Sequence, residues 1–581
     1  MIEHSEKGEY APAETNDTPT TITPAEVEEK VNIVEGAEGV EEAEVTTITP
    51  PDADSPHLSG RDMYLVILAI GLTIFMASLD TTIVATASPQ ISSEFRALDS
   101  ISWVATAYML SANALQPVYG KLSDIFGRKA TYMFAIALFL VGSAICGAAQ
   151  SINMLIGARA VQGLGAAGCF SLSMIIVTES SGVREAGKFI GILSGVFALS
   201  SVLGPVVGGA LTDISSSSWR WIFYINLPVG IPTLFLIFFF LKLVRSSTGG
   251  TFRDKLARID FLGIAVFVAG IVCILLALSW GGGTYPWNSA RVIVLFCVGG
   301  VLLLVFVAVE MRVARDPMVM MELFAKRNFV ATALFSLPFG TVMFGLIFFI
   351  PLYFQVIKGN RAVVAGLHLI PFMLSFAFLA GVSGFLISKT GLYRPFIWTG
   401  SAIMSVGTGL LILWEQDSSN AAYILFPLVV GMGMGLCMQT ILSAGQSQLD
   451  RTTLASGTAL VNFFRTIGGV LGLAIFTTIM NSKLTSEIEH ARPNDAVFVI
   501  GIARKGFEVF DKLNEEQLAV VKEAYSTALR TIFIAMVPFS VLTFVISLFY
   551  IHVPLPSRNQ DNQSAAGKVS AERSNGEESN A

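Results

Sequence analysis

Apolar residues run in long blocks along this chain, not at every second position or on one helical face. Fourteen blocks fall approximately at 63–86, 102–120, 131–149, 153–177, 188–211, 221–243, 259–280, 292–311, 329–354, 364–388, 395–414, 422–445, 455–480 and 529–552. About 20 residues of helix, rising about 1.5 Å each, cross a hydrocarbon layer roughly 30 Å thick. Backbone groups in lipid need partners within the structure, so helices are the expected spanning element. The alternating ten-residue segments of a transmembrane barrel do not appear. The pattern predicts an all-α polytopic membrane protein with 14 transmembrane helices.

The polar stretches predict the rest of the layout. Residues 1–61 are acidic and rich in Thr, Pro and Glu, and 553–581 are polar; both are expected to be disordered tails. The start lacks a basic flank followed by an apolar core, so the first span is expected to act as an uncleaved insertion signal. The connections after spans 2, 4, 6, 8, 10 and 12 carry about 17 Lys and Arg, among them Lys121, Arg128, Lys129, Lys242, Arg245, Arg312 and Lys326; the opposite short connections carry about five. Positive short loops stay cytoplasmic, which predicts both tails on that side. The long connection 481–528 is expected to be extracytoplasmic and partly helical.

Composition agrees with a membrane solvent. Of 581 residues, 53% are hydrophobic and 14% charged, against about 25% charged in soluble domains. The net charge is −6. Cys146, Cys169, Cys273, Cys297 and Cys437 all sit in apolar blocks without metal-ligand spacing and read as small packing residues. No G-x-x-x-x-G-K-[ST] run occurs, so an ATP-driven pump is not expected. No nucleophile triad or Cys/His cluster points to an enzyme. No cofactor, metal or nucleic acid is expected; the expected partners are the bilayer, a small-molecule substrate and protons, with the chain working as a monomer.

Four runs carry chemistry. After span 2 comes Gly120-Lys121-Leu122-Ser123-Asp124-Ile125-Phe126-Gly127-Arg128-Lys129. Its glycines permit a tight turn, and Asp124 can pair with Arg128 or cap a helix N-terminus. Span 4 holds Arg159-Ala160-Val161-Gln162-Gly163-Leu164-Gly165-Ala166-Ala167-Gly168. This includes a formal G-x-G-x-x-G, but inside an apolar span it reads as close helix packing, not a dinucleotide site. Span 5 holds Gly191, Gly195 and Gly204-Pro205-Val206-Val207-Gly208-Gly209, a smooth face with a proline bend. Span 1 ends in Leu79-Asp80-Thr81-Thr82-Ile83-Val84-Ala85-Thr86-Ala87-Ser88-Pro89.

These runs resemble the motifs of the major facilitator superfamily, in its fourteen-spanner drug:proton antiporter branch. Trp219 to Pro228 at span 6 and Phe464 to Gly469 in span 13 are similar to that branch as well. The resemblance, closest to fungal multidrug and mycotoxin efflux pumps, extends over about 63–552. Ser88 and Ser200 depart from it, where the branch often has Leu and Gly. It implies a major facilitator fold arranged 6 + 2 + 6: a six-helix bundle over 62–243, two inserted helices with cytoplasmic loops over 244–328, and a second bundle over 329–552. It also implies that Gly120, Asp124, Gly127, Arg128 and Lys129 form a cytoplasmic gate loop, and that Gly191, Gly204, Pro205, Gly208 and Gly209 form the antiporter-like helix.

Charges within spans are costly, about 2.5–3.5 kcal/mol each on insertion scales, and mark pathways. Asp80, Arg159 and Arg465 stand well inside spans. Asp80 and Arg159 are expected at one depth, roughly 10–12 Å below the outer surface, and able to meet. A partner charge favours the ionised carboxylate and burial without one favours the neutral acid, so making and breaking this pair could carry the coupling proton. The alternative is a static pair that fixes helix register. Arg465, near mid-membrane, could bind carbonyls, a helix C-terminus or an anionic substrate group. Tyr108, Asn113, Gln116, Gln162 and Gln439 are candidate cavity residues, and His368 is expected to be structural. The expected function is proton-coupled export of drugs, fungicides or fungal toxins across the plasma membrane. The alternative is vacuolar transport of basic amino acids, or siderophore transport.

Overall fold

The computed structural model describes residues 61–95, 102–181, 183–212, 214–215, 218–241, 252–282, 285–312, 317–360, 362–415, 417–449, 453–492, 494–503 and 513–553. The tails expected to be disordered lie almost wholly outside these residues.

Among the described residues the apolar blocks form α-helices: α1 (Arg61–Phe95), α2 (Ser102–Ala114), α3 (Gln116–Phe126), α4 (Arg128–Gly147), α5 (Ile152–Ser181), α6 (Val183–Thr212), α7 (Trp221–Tyr224), α8 (Asn226–Phe240), α9 (Phe252–Ala257), α10 (Phe261–Trp280) and α11 (Ala290–Arg312). They continue as α12 (Arg327–Val356), α13 (Ala362–Leu367), α14 (Ile370–Thr390), α15 (Arg394–Leu410), α16 (Asn420–Gln446), α17 (Leu454–Ala491), α18 (Ala496–Ala503) and α19 (Glu515–Ser547).

Thirteen helical segments of the described residues are long and apolar enough to cross a membrane. The remaining predicted span, 102–120, is two helices laid end to end. Leu115 joins α2 to α3 at φ −99° and ψ −2°, with Pro117 in the first turn of α3. Pro117 has no N–H for the Asn113 carbonyl, so the helix breaks there. Counting α2 and α3 as one crossing gives fourteen. The described part of the connection 481–528 is helical: α17 continues to Ala491, α18 follows, and α19 starts early at a capping box made by Asn514 and Gln517.

The helices before α9 and those after α11 meet along two seams. At one, α6 packs on α14; at the other, α3 packs on α17. Both contacts depend on small residues. A Cβ on Gly187 would stand 2.6 Å from Gly384 Cα, and one on Gly191 would collide with Gly381. At the second seam a Cβ on Gly120 would meet the Ala459 methyl at 3.0 Å.

The inserted pair α10 and α11 pack on each other and flank the second seam. Phe267 of α10 sits against Phe463 of α17, ring centroids 5.4 Å apart. At the end of the bundle away from Gly120, the Trp280 ring meets Trp103 of α2 at 5.7 Å. There Trp287 donates to Thr478 Oγ1 of α17 at 3.1 Å, and Asn481 donates to the Gly282 carbonyl at 3.3 Å. The pair thus touches both sets of helices. The rest of α11 exposes Val294, Val298, Val301 and Leu304, as a lipid-facing helix does.

Candidate functional site: a buried ion pair and a seam cavity

The expected meeting of Asp80 and Arg159 occurs. Both are fully buried, and Arg159 Nη1 donates to Asp80 Oδ2. Five helices build the surroundings. Arg159 Nε donates to the Val104 carbonyl at 3.0 Å and Nη1 to Gln162 Oε1 at 2.7 Å. Gln162 Nε2 donates to Asp80 Oδ1 at 2.8 Å and to Ser143 Oγ at 2.7 Å. Asn226 Nδ2, at the start of α8, donates to Asp80 Oδ1 at 3.3 Å and to Ser143 Oγ at 2.9 Å. The guanidinium lies 4.2 Å from the Tyr108 ring centroid, and the Tyr108 hydroxyl donates to the Ala77 carbonyl at 3.2 Å. Both carboxylate oxygens and the Arg159 Nε and Nη1 are therefore engaged, which helps to keep a costly buried pair in a low-dielectric interior.

Small residues permit this approach. A Cβ on Gly142 would meet the Gln162 backbone at 2.6 Å, so α4 and α5 close up and bring Ser143 to Gln162. Asn226 and Ser143 were not among the site residues expected from sequence. The signal for Asn226 is its place in the Trp219–Pro228 run; Ser143 carries none.

The 120–129 loop forms a second polar cluster. Gly127 has φ +94°, so it turns α3 into α4 in a conformation that favours glycine. Arg128 pairs with Asp124 at 2.5 Å and with Glu179 at the end of α5 at 2.8 Å. Asp124 Oδ2 also accepts from Ser456 Oγ of α17 at 3.3 Å. Lys129 donates to the Phe238 carbonyl at 2.5 Å. Close by, Gln446 of α16 donates to Thr458 at 2.8 Å and to Thr178 of α5 at 3.4 Å. Both seams are shut at this end.

On α6, Gly191 lies in the α14 seam, whereas Gly204 faces Thr82 of α1, two positions beyond Asp80. Gly208 is buried in the same helix, Gly209 has open space, and Pro205 is helical. Glycines of one motif thus serve two neighbours.

Arg465 stands apart from the ion pair. It lines a cavity of about 20 Å³ between the helix sets, with Met174, Ile190, Ser336, Met438, Val461 and Asn462 among its neighbours. The expected cavity residues do not gather there. Gln162 and Tyr108 belong to the ion-pair cluster. Asn113 is buried on α2. Gln116 and Gln439 each bury a side-chain oxygen with no protein partner. His368 stacks on Phe354, centroids 3.8 Å apart.

The sequence profile described as Major Facilitator Superfamily matches residues 70–473. The chain is 37% identical over 495 residues to the MFS-type transporter astH of Aspergillus oryzae, covering 84% of this chain and 87% of that one. It is 34% identical to the MFS-type efflux pump MFS1 of Arthroderma benhamiae, covering 79% and 86%. With the efflux pump aflT of Aspergillus parasiticus it shares 35% identity, covering 82% and 93%. Among solved structures it resembles the human organic anion transporter MFSD10 (TM-score 0.51, 15% identity, covering 83% of this chain and all of that one). A bacterial homologue of the human lysosomal transporter Spinster, inward-facing and unoccupied, gives a TM-score of 0.53 at 18% identity, covering 85% and 98%. These relatives are transporters, not enzymes. Two helix sets meeting along two seams, a buried ion pair inside one set and a match over most of the chain together place this multi-pass membrane protein in the Major Facilitator Superfamily.

Proposed function

We propose that this transporter exports small amphipathic molecules, such as drugs, fungicides or fungal toxins, across the plasma membrane in exchange for protons. Both tails face the cytoplasm in this reading, as the basic short loops favour. The observation that carries it is the Asp80–Arg159 pair, buried and hydrogen-bonded to residues of several helices, on the helix that meets α6 at Gly204. The relatives named as efflux pumps support the direction of transport.

The chemistry follows from the surroundings of the carboxylate. Arg159, Gln162 and Asn226 all donate to the Asp80 carboxylate. Relative movement of α1 against α5 withdraws those donors, and the carboxylate left in a low-dielectric site then favours its neutral form and takes a proton. Gln162 and Asn226 can turn their amide oxygens to accept a hydrogen bond from the protonated carboxyl. Returning to the paired arrangement expels it. Alternating access supplies the movement, one seam end opening as the other closes. In this reading the shut seams at Gly120 and Gly187 close the cytoplasmic side.

The test is accumulation of dyes, azoles and fungal toxins in efflux-deficient yeast expressing the chain. An uncoupler should abolish the lowered accumulation, and Asp80→Asn should do the same. Uncoupler-sensitive export at the wild-type level in Asp80→Asn defeats the role of Asp80. Location on the vacuolar membrane would put vacuolar basic amino-acid transport ahead.

A further inference from the structure

We infer that the exported molecules include organic acids: apolar ring systems carrying a carboxylate, phenolate or enolate that pairs with Arg465. This deepens the proposed export and rests on it. Among the described residues the Arg465 side chain has neutral partners only. Nη2 donates to Asn462 Oδ1 at 2.8 Å, and Nη1 faces the Met438 thioether sulfur at 3.0 Å. A thioether is a weak acceptor, a poor match for a guanidinium N–H inside a membrane protein. Arg159 meets a carboxylate, a carboxamide and a carbonyl; Arg465 has one amide oxygen and a sulfur. The guanidinium geometry suits a planar anion, which accepts two parallel N–H donors.

Position adds to chemistry. The cavity beside Arg465 draws walls from both helix sets, Met174 and Ile190 from one and Ser336, Met438, Val461 and Asn462 from the other. At about 20 Å³ it holds about one water while the seams are shut. Parting the sets enlarges this space, with Arg465 on one wall and apolar Met, Ile, Leu and Val side chains around it. Methionines repack readily around differing apolar bodies. The site thus offers a fixed anchor for charge and a pliable surface for the rest of the ligand.

Binding to full-length protein in lipid nanodiscs tests this without any gradient, using pyrenebutyrate and its neutral analogue pyrenebutanol, with protein-free nanodiscs subtracted. Wild type should bind the acid at least tenfold more tightly. Arg465→Gln should lose the preference, and Arg465→Lys should retain part of it. Equal affinity of wild type for the two compounds, or binding of neither, overturns the inference whether or not a variant folds. So does a preference that survives in a folded Arg465→Gln protein. Export failing in cells while the acid preference stands would count against the transport reading alone.

Discussion

Asp124 and Ser456 lie 3.3 Å apart across the α3–α17 seam, joining parts of the chain separated by 332 positions. The same carboxylate pairs with Arg128, which also holds Glu179. Removing the charge in Asp124→Asn weakens a partly buried network by about 1 kcal/mol, a factor of about five in population. A single cysteine at Ala459, buried in the seam against Gly120, should then be alkylated about fivefold faster than in the Asp124 background. An unchanged rate would mean that the network does not hold the seam.

The ion pair has an asymmetric cost. Arg159→Met strands a buried carboxylate and should lower stability by about 3–5 kcal/mol. Combining it with Asp80→Asn removes the stranded charge, so the double variant should recover much of that loss. Thermal unfolding of the purified variants in detergent gives the comparison; a double variant no more stable than Arg159→Met would show that packing, not charge, dominates.

Two glycines of one motif should behave differently. A Cβ on Gly204 would collide with Thr82, whereas one on Gly209 has open space. Gly204→Ala should therefore abolish or strongly reduce export, and Gly209→Ala should leave it within about twofold, since core overpacking costs about 1–3 kcal/mol. Export rates normalised to the amount of protein at the membrane distinguish the two.

Beyond the first span, Glu94 accepts from Trp219 Nε1 at 2.5 Å and pairs with Arg220 at 2.8 Å. The Arg220 hydrogen bond holds the Glu94 carboxyl below its ordinary value of 4.5. A depressed carboxyl stabilises fully above that ordinary value, and the contribution disappears as pH falls through the lowered one. The stability difference between wild type and Glu94→Gln should be constant from pH 7 to about 5 and shrink in stronger acid. A difference that grows on acidification would reverse the assignment.

Much of this was legible because the solvent is lipid. In apolar blocks each charge stands out, and counting residues from the span ends placed Asp80 and Arg159 at one level. Neutral polar residues carry no such mark, so Asn226 and Ser143 were missed, and Gln162 was assigned to a cavity when it serves the ion pair. The break at Leu115 was written in Pro117, but hydropathy averages over a single proline. Which helix each glycine faces depends on neighbours distant in sequence: Gly191 meets α14 and Gly204 meets α1, and periodicity within α6 is blind to both.

The position of α10 has a further consequence for how compounds arrive. Phe267 covers the α3–α17 junction, and the Trp280–Trp287 turn fastens it at one end to both α2 and α17. Among the described residues the α6–α14 junction has no such long helix laid over it. The two flanks of the molecule are therefore unequal: if the helix sets part, a lipid-dissolved compound approaching from the membrane leaflet would meet an inserted helix at one junction and none at the other, where Gly187 and Gly384 now close the gap.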